Sequence, residues 1–258
     1  MFSFDTSKYT IITLDEVNST NGYAMEHIKF FDDKTVIFTL RQTSGRGRYN
    51  RRWVCDDLGN ISMSIVLKPD KDNRYNKSGT IGLYPFPNLT QYLSVILCRV
   101  LERDFDLEPS IKWPNDILVE GAKISGILAE SYMENNTIKG VVLGLGVNVN
   151  LKKETLEQID QKAVSLAVLK NKEFDAEEIL RSICDSFFED YDKFVKSGFS
   201  FIKDEYIQKC SFLGKNIVIR ENGEKKRYFA KDIDNEGFLT VIDEFNNEGK
   251  IMTGDVLC

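Results

Sequence analysis

The chain reads as α+β, with a catalytic-sized first domain over residues 1–210 and a small β-domain over 211–258. Three observations lead there. Up to about residue 210, segments with a two-residue apolar period are interspersed with segments of helical period. From 211 onward only short strands and polar turns remain. The 258 residues, 42% hydrophobic and 29% charged, suffice for one sizeable domain plus a small one.

Residues 9–17, "YTIITLDEV", predict a strand, and Ser19 or Thr20 supplies an N-cap for a helix over "STNGYAMEHIKFF". "TVIFTL" predicts a second strand that runs into an arginine-rich loop. In "ISMSIVLK", Ile61, Met63, Ile65 and Leu67 alternate with Ser62, Ser64, Val66 and Lys68, the period of a sheet with one or both faces covered. Residues 69–88 lack periodicity and are rich in turn formers, which predicts a long loop. A helix over "LTQYLSVILCRVLERDF" follows, then strands at "SIKW", "DILV" and "KISGILAESYM", with a hairpin at Glu120-Gly121-Ala122. "KGVVLGLGVNVN" predicts one more strand, joined through Asn135-Asn136-Thr137. Asp175 and Glu178 stand in capping-box spacing before a helix that buries Leu180, Ile183, Phe187, Tyr191 and Phe194 and stops at Gly198. Short strands at "NIVIR", "KKRYFAKDI", "GFLTVID" and "GKIMTG" complete the chain.

Several function classes drop out on composition. No segment approaches the ~20 apolar residues of a membrane helix, and the N-terminus lacks a signal-peptide pattern. Cys55, Cys98, Cys184, Cys210 and Cys258 are odd in number, widely spaced and never in C-x-x-C pairs, which argues against a disulfide framework and a zinc site. Thiols in a reducing, cytoplasmic compartment fit better. His27 is the sole histidine, a poor basis for a zinc enzyme or a Ser-His-Asp hydrolase.

Against a net charge of −6, "GRGRYNRRW" at 45–53 concentrates four arginines in nine residues. Arginines offer planar, permanently charged donors, and glycines admit a close backbone approach, so the loop suits a phosphate or carboxylate. A solvated basic turn or a nucleic-acid arm explains the loop alone equally well, although no broad basic face accompanies it. "KWPND" brings Lys112, Asn115 and Asp116 to one strand end, a cation, an amide and a carboxylate suited to phosphates and a divalent metal. With Trp113 in the core, the same segment serves equally as a strand terminus. Lys123 and Gly126 lie one strand later, and Gly144 and Gly146 interrupt an apolar strand as a bulge would. The residues themselves lead to a nucleotide or phosphoanhydride site, not to a substrate.

Taken together and in order, "STN", "RQTSGRGRYNRRW", "LGNISMSI", "KWPNDILV", "KISGILAE" and "GLGVNVN" resemble the biotin protein ligases over roughly residues 9–255. The resemblance implies a catalytic domain of class II synthetase-like fold, with a mixed sheet flanked by helices, and a C-terminal SH3-like barrel. It implies that biotin and ATP give biotinyl-5′-AMP, whose biotin passes to a lysine of a biotin carboxyl carrier domain. By the same resemblance, Ser19, Thr20, Asn21, Gln42, Gly45, Arg46, Arg48, Lys123 and Gly126 contact biotin. Arg48, Arg51, Trp53, Lys112, Asn115, Asp116 and Asn148 contact the nucleotide. Lys123, Arg48 and Lys112 are the catalytic residues, and Asp116 is the ligand for Mg²⁺. No side chain in the set is a nucleophile, so catalysis would rest on alignment and charge stabilisation.

The chain departs from the family in having Asn50 where glycine is usual, a residue tolerant of positive φ, and Cys55 where serine or similar is usual. Its C-terminal "TGDVLC" keeps the closing Gly-acidic pattern without a terminal basic residue. The catalytic pattern begins near residue 9, which predicts no sequence-specific DNA binding; a monomer or homodimer, with no membrane association, is expected. Rival readings are a lipoate or octanoate ligase or transferase of the same superfamily, and a non-enzymatic biotin-binding regulator.

Overall fold

The computed structural model describes residues 2–55, 59–68, 88–221 and 223–257. The long loop expected at 69–88 falls outside these residues except for Asn88, as does Cys258.

Eight strands form the larger sheet: β1 (Phe2–Asp5), β2 (Thr10–Thr13), β3 (Thr35–Thr39), β4 (Asn60–Leu67), β5 (Pro109–Lys112), β6 (Asp116–Val119), β7 (Ala122–Glu134) and β8 (Thr137–Asn148). Their order is β1-β2-β3-β4-β8-β7-β6-β5. Only β2 and β3 pair in parallel, which makes the sheet mixed. Helix α1 (Thr20–His27) covers one face, with Ala24 and Ile28 packed on Ile37, Val66 and Val142. Helices α2 (Leu89–Phe105) and α5 (Ala176–Ser197) cover the other. All eight residues of β4 are buried, so both of its faces are covered. Parity divides them: Ile61, Met63, Ile65 and Leu67 enter the α2/α5 core, while Ser62 and Ser64 fall on the α1 side.

The tight turns follow local chemistry. Glu120 and Gly121, at φ 52° and 70°, join β6 to β7, and Asn135 and Asn136, at φ 49° and 58°, join β7 to β8. Positive φ at both central residues matches the right-handed strand twist, and glycine and asparagine tolerate it. Asp175 caps α5 by accepting from the Glu177 and Glu178 amides, and Gly198 at φ 63° ends it. Tyr92 of α2 stacks on Phe194 of α5 at 4.3 Å, and its hydroxyl donates to Phe187 O at 2.6 Å. Strand β1 and the short helices α3 (Lys153–Leu156), α4 (Leu166–Lys170) and α6 (Lys203–Lys209) have no counterpart among the expected elements.

The C-terminal strands β9 (Asn216–Glu221), β10 (Glu224–Ile233), β11 (Leu239–Ile242), β12 (Glu248–Ile251) and β13 (Asp255–Leu257) form an antiparallel sheet of order β12-β11-β10-β9-β13. β13 was not among the expected strands. Ile219, Ala230, Leu239 and Val256 join the same apolar cluster as α2 and α5. Gln91 of α2 fastens the sheet by donating to Gly237 O at 2.6 Å, and Asn88 donates to Glu236 O at 2.9 Å.

Asp175→Ala removes the acceptor of two α5 amides. Stability should fall by about 1 kcal/mol, seen as a Tm lower by roughly 2–4 °C; an unchanged melting curve would refute this account of the cap.

Candidate functional site

The α1-facing side of the larger sheet carries an unusual row. Ser62 of β4, Gly146 of β8, Gly126 of β7 and Asp116 of β6 are successive register partners across four strands. In the adjacent row, Ser64, Gly144 and Leu128 follow one another. Around these rows the large side chains of β8 point the other way, with Val141, Leu143, Leu145 and Val147 in the α2/α5 core, and Val142 alone of its buried aliphatics packs on the α1 side. Small residues on one face and aliphatics on the other leave a depression beside α1.

That depression explains Gly144 and Gly146 of β8, around which the register runs unbroken and no bulge occurs. A Cβ at Gly144 would stand 2.2 Å from Asn21 Oδ1, and one at Gly146 would stand 2.3 Å from Trp53 Cε2. Both positions are needed for close approach, not for backbone conformation. The Trp53 indole thus lies on a glycine floor, its ring centroid 5.7 Å from Lys123 Nζ, and its buried Nε1 has no hydrogen-bond partner among the described residues.

One end of the depression is polar. Ser19 caps α1, accepting from the Gly22 amide at 3.2 Å. Gln42 Oε1 accepts from the Thr20 amide at 2.8 Å, and Ser64 Oγ lies 2.8 Å from Thr20 Oγ1 and 2.6 Å from Asn21 Oδ1. Asn21 Nδ2 donates to Glu130 Oε2 at 2.8 Å and Leu128 O at 3.2 Å. Ser19, Thr20, Asn21, Gln42 and Ser64 are buried and hydrogen-bonded, so their orientations are fixed.

The other end is cationic. The arginine loop is a small hairpin: Gly47 N donates to Arg51 O at 2.7 Å and Trp53 N to Gly45 O at 2.9 Å. Its left-handed residue is Tyr49, at φ 53° and ψ 37°, not Asn50, where tolerance of positive φ was expected to matter. Of the two glycines, Gly45 is sterically required, since a Cβ there would come within 2.5 Å of Gln42 Nε2. Gly47 has extended backbone, and a Cβ there would make only ordinary contacts, the nearest 3.5 Å from Arg51 O. Arg48 Nη1 donates to Asn115 Oδ1 at 3.3 Å, Gly254 O at 3.1 Å and Asp255 Oδ1 at 3.2 Å. Arg51 pairs with the other oxygen of Asp255. Lys123 Nζ lies 2.7 Å from Asp116 Oδ1, and each side chain is 16% exposed. Asn115 anchors β7 by donating from Nδ2 to Ile127 O at 2.6 Å. Trp113 is buried in the core, next to a cis bond to Pro114.

One cavity of about 830 Å³ takes in Ser19, Thr20, Asn21, Gln42, Arg46, Arg48, Arg51, Trp53, Lys112, Asn115, Asp116, Lys123 and Gly126. Two expected residues stand apart from it. Gly45 lies behind Gln42 and Trp53, and Asn148 is buried, its amide donating to Val164 O at 3.1 Å and Lys123 O at 3.4 Å. Asn148 therefore braces the Lys123 strand against the following loop in this structure. Asp255, Arg220 and residues 158–161 also line the cavity and were not anticipated. Glu130, one residue pair beyond Leu128 on the same strand face, was missed too. The polar alternation of Ser62 and Ser64 within a fully buried strand was the one signal that could have added β4 to the site.

No group of three or more His, Cys, Asp or Glu converges among the described residues. Asp116, already paired with Lys123, fits a divalent ion that arrives on phosphates and takes one protein ligand; with Asp255 engaged by Arg48 and Arg51, the cavity does not form a resident metal cage.

Gly146→Val should push the indole off its floor and shift tryptophan emission to the red, since the other tryptophan, Trp113, stays buried; unaltered emission would contradict the packing. Thiol chemistry offers a second check. Burial pushes the Cys98 thiol up to about 12 and raises Cys184 and Cys210 well above their ordinary range, whereas Cys55 is only half-buried beside Ser62. Iodoacetamide followed by peptide mass mapping should therefore modify Cys55 before those three.

Residues 14–148 match the model of the biotin/lipoate A/B protein ligase family. The chain is 30% identical to the bifunctional ligase/repressor BirA of Bacillus spizizenii, over 95% of this chain and 73% of that protein. It is 26% identical to a biotin–[acetyl-CoA-carboxylase] ligase of Paracoccus denitrificans, over 88% of this chain and 91% of the relative. The solved biotin protein ligase of Aquifex aeolicus in complex with biotin and ATP matches with a TM-score of 0.78 at 26% identity, covering 96% of this chain and 97% of that one. With the family match spanning half of the chain and these relatives spanning nearly all of it, the chain belongs to the biotin/lipoate A/B protein ligase family.

Proposed function

We propose that the protein is a biotin protein ligase, which activates biotin with ATP and transfers it to a lysine of a biotin carboxyl carrier domain. The observation that carries this reading is the meeting, in one cavity, of a buried polar end built from Ser19, Thr20, Asn21 and Gln42 and a cationic end built from Arg48, Arg51, Lys112 and Lys123. A ureido head group offers donors and an acceptor to hydroxyl and amide partners. A carboxylate and a phosphate need cations.

In the first step, an oxygen of the biotin carboxylate attacks the α-phosphorus of ATP. The bond to the β-phosphate oxygen breaks, and pyrophosphate leaves with its electron pair. Two anions must approach each other, and Lys123, held half-buried on the Gly126 strand, is placed to offset their repulsion and the charge growing at phosphorus. Arg48 and Arg51 exchange the Asp255 carboxylate for phosphate oxygens, and Lys112 and Asn115 flank the same end. Mg²⁺, carried on the nucleotide and held by Asp116, would spread the charge of the leaving pyrophosphate. In the second step, the carrier's neutral lysine amine attacks the carbonyl of the mixed anhydride and AMP leaves. Stacking on Trp53 suits the adenine, whose recognition by Asn148 would require that side chain to leave its present partners.

The buried polar end favours biotin over lipoate or octanoate, whose chains call for an apolar tunnel. We assign residues 1–210 as the catalytic unit, with 211–258 contributing Asp255.

Protein incubated with biotin, ATP and Mg²⁺ should release pyrophosphate and label an added carrier domain; folded protein that yields neither product would overturn the assignment. Lys123→Ala should cut adenylate formation by about 100-fold or more, the magnitude typical of losing one transition-state charge partner, with the circular dichroism spectrum retained. Undiminished turnover by that variant would remove Lys123 from the mechanism.

A further inference from the structure

We infer that Glu130 is a positioning residue that tethers Arg46 of the arginine loop to the polar end of the cavity; the inference rests on the ligase reading above. Glu130 follows Gly126 and Leu128 at alternate positions of β7, and its register partner Val142 packs beneath α1, so its side chain rises on the cavity side of the sheet. It does not itself line the cavity.

Its carboxylate has two partners of different kinds. Oε2 accepts from Asn21 Nδ2 at 2.8 Å and lies 3.5 Å from Arg46 Nη2. Asn21 is buried and fixed by Ser64, so one end of the link is rigid. Arg46 has a side chain that is 48% exposed and belongs to the hairpin that must admit substrate. The same guanidinium lies against the first turn of α1, where a Cβ at Gly22 would be 3.9 Å from Nη2. A long arginine side chain loses considerable rotamer freedom when held. The anionic tether supplies that restraint before ligand arrives, and it draws Arg46 toward the boundary between the polar and cationic ends, where the carboxylate tail of a bound acid would lie. A preorganised cation lowers the ordering cost of binding and leaves the chemical step untouched.

A merely structural role for Glu130 would end at Asn21. Glu130→Gln separates the two, because glutamine keeps an acceptor for the Asn21 amide and removes the charge that holds Arg46. We expect the KM for biotin to rise roughly 5- to 10-fold, the equivalent of one charge-assisted contact, with kcat changed by less than about 2-fold. In an Arg46→Ala background, Glu130→Gln should add no further rise. Wild-type kinetics for Glu130→Gln, or effects that multiply in the double variant, would overturn the tether. A readout independent of turnover completes the test: in ligand-free protein, tryptic cleavage after Arg46 should be several-fold faster in Glu130→Gln than in wild type, and equal rates would overturn the proposal. Wild-type protein without ligase activity would defeat the functional reading alone, since the cleavage comparison still decides the tether.

Discussion

The structure depends on a constraint at the sheet surface: where Ser62, Gly146, Gly126 and Asp116 line up, side-chain bulk must be absent. A strand alternates its faces by geometry, so the aliphatics that build the α2/α5 core and the small residues that open the cavity come from the same stretches of sequence. Packing and site formation are therefore one pattern read on two faces. A one-residue slip in β8 would bring Leu145 or Val147 into the depression and send the glycines into the core.

Above that floor, the two ends of the cavity are held by different physics. The polar end is a set of short hydrogen bonds among the buried Thr20, Asn21, Gln42 and Ser64, reaching out to the partly exposed Glu130, in which each group fixes the next. The cationic end is more exposed and is held by ion pairs to residues distant in sequence, above all Asp255. Rigid recognition thus adjoins a more adaptable charge cluster, the arrangement suited to a ligand whose identity is read at one end and whose bonds change at the other.

Much of this was legible in the residues. The alternation in β4, the span of α2, the Asp175 cap, and the turns at Glu120-Gly121 and Asn135-Asn136 follow from local chemistry that nothing distant overrides. Most of the motif residues expected at the site line one cavity, Gly45 and Asn148 excepted. What escaped was set by long-range pairing. β13 has three residues and acquires its register from β9, so neither it nor the contact from Asp255 is visible locally. The left-handed turn falls on Tyr49, where the guanidinium groups of Arg48 and Arg51 lie 5.0 and 5.8 Å from its ring, and not on the asparagine that propensity alone would choose. Asn148 is the converse case: within a motif it looks like a ligand contact, yet burial directs its amide to backbone carbonyls.

Asp255 has a further consequence. Its carboxylate occupies guanidinium donors on both Arg48 and Arg51, so these two arginines already hold a partner before any ligand arrives. Inorganic phosphate and other loose anions must displace a partner already in place and gain little beyond what is lost. A ligand that also reaches the buried amides and hydroxyls brings contacts no free anion has. The internal carboxylate therefore leaves Arg48 and Arg51 paired until something displaces it.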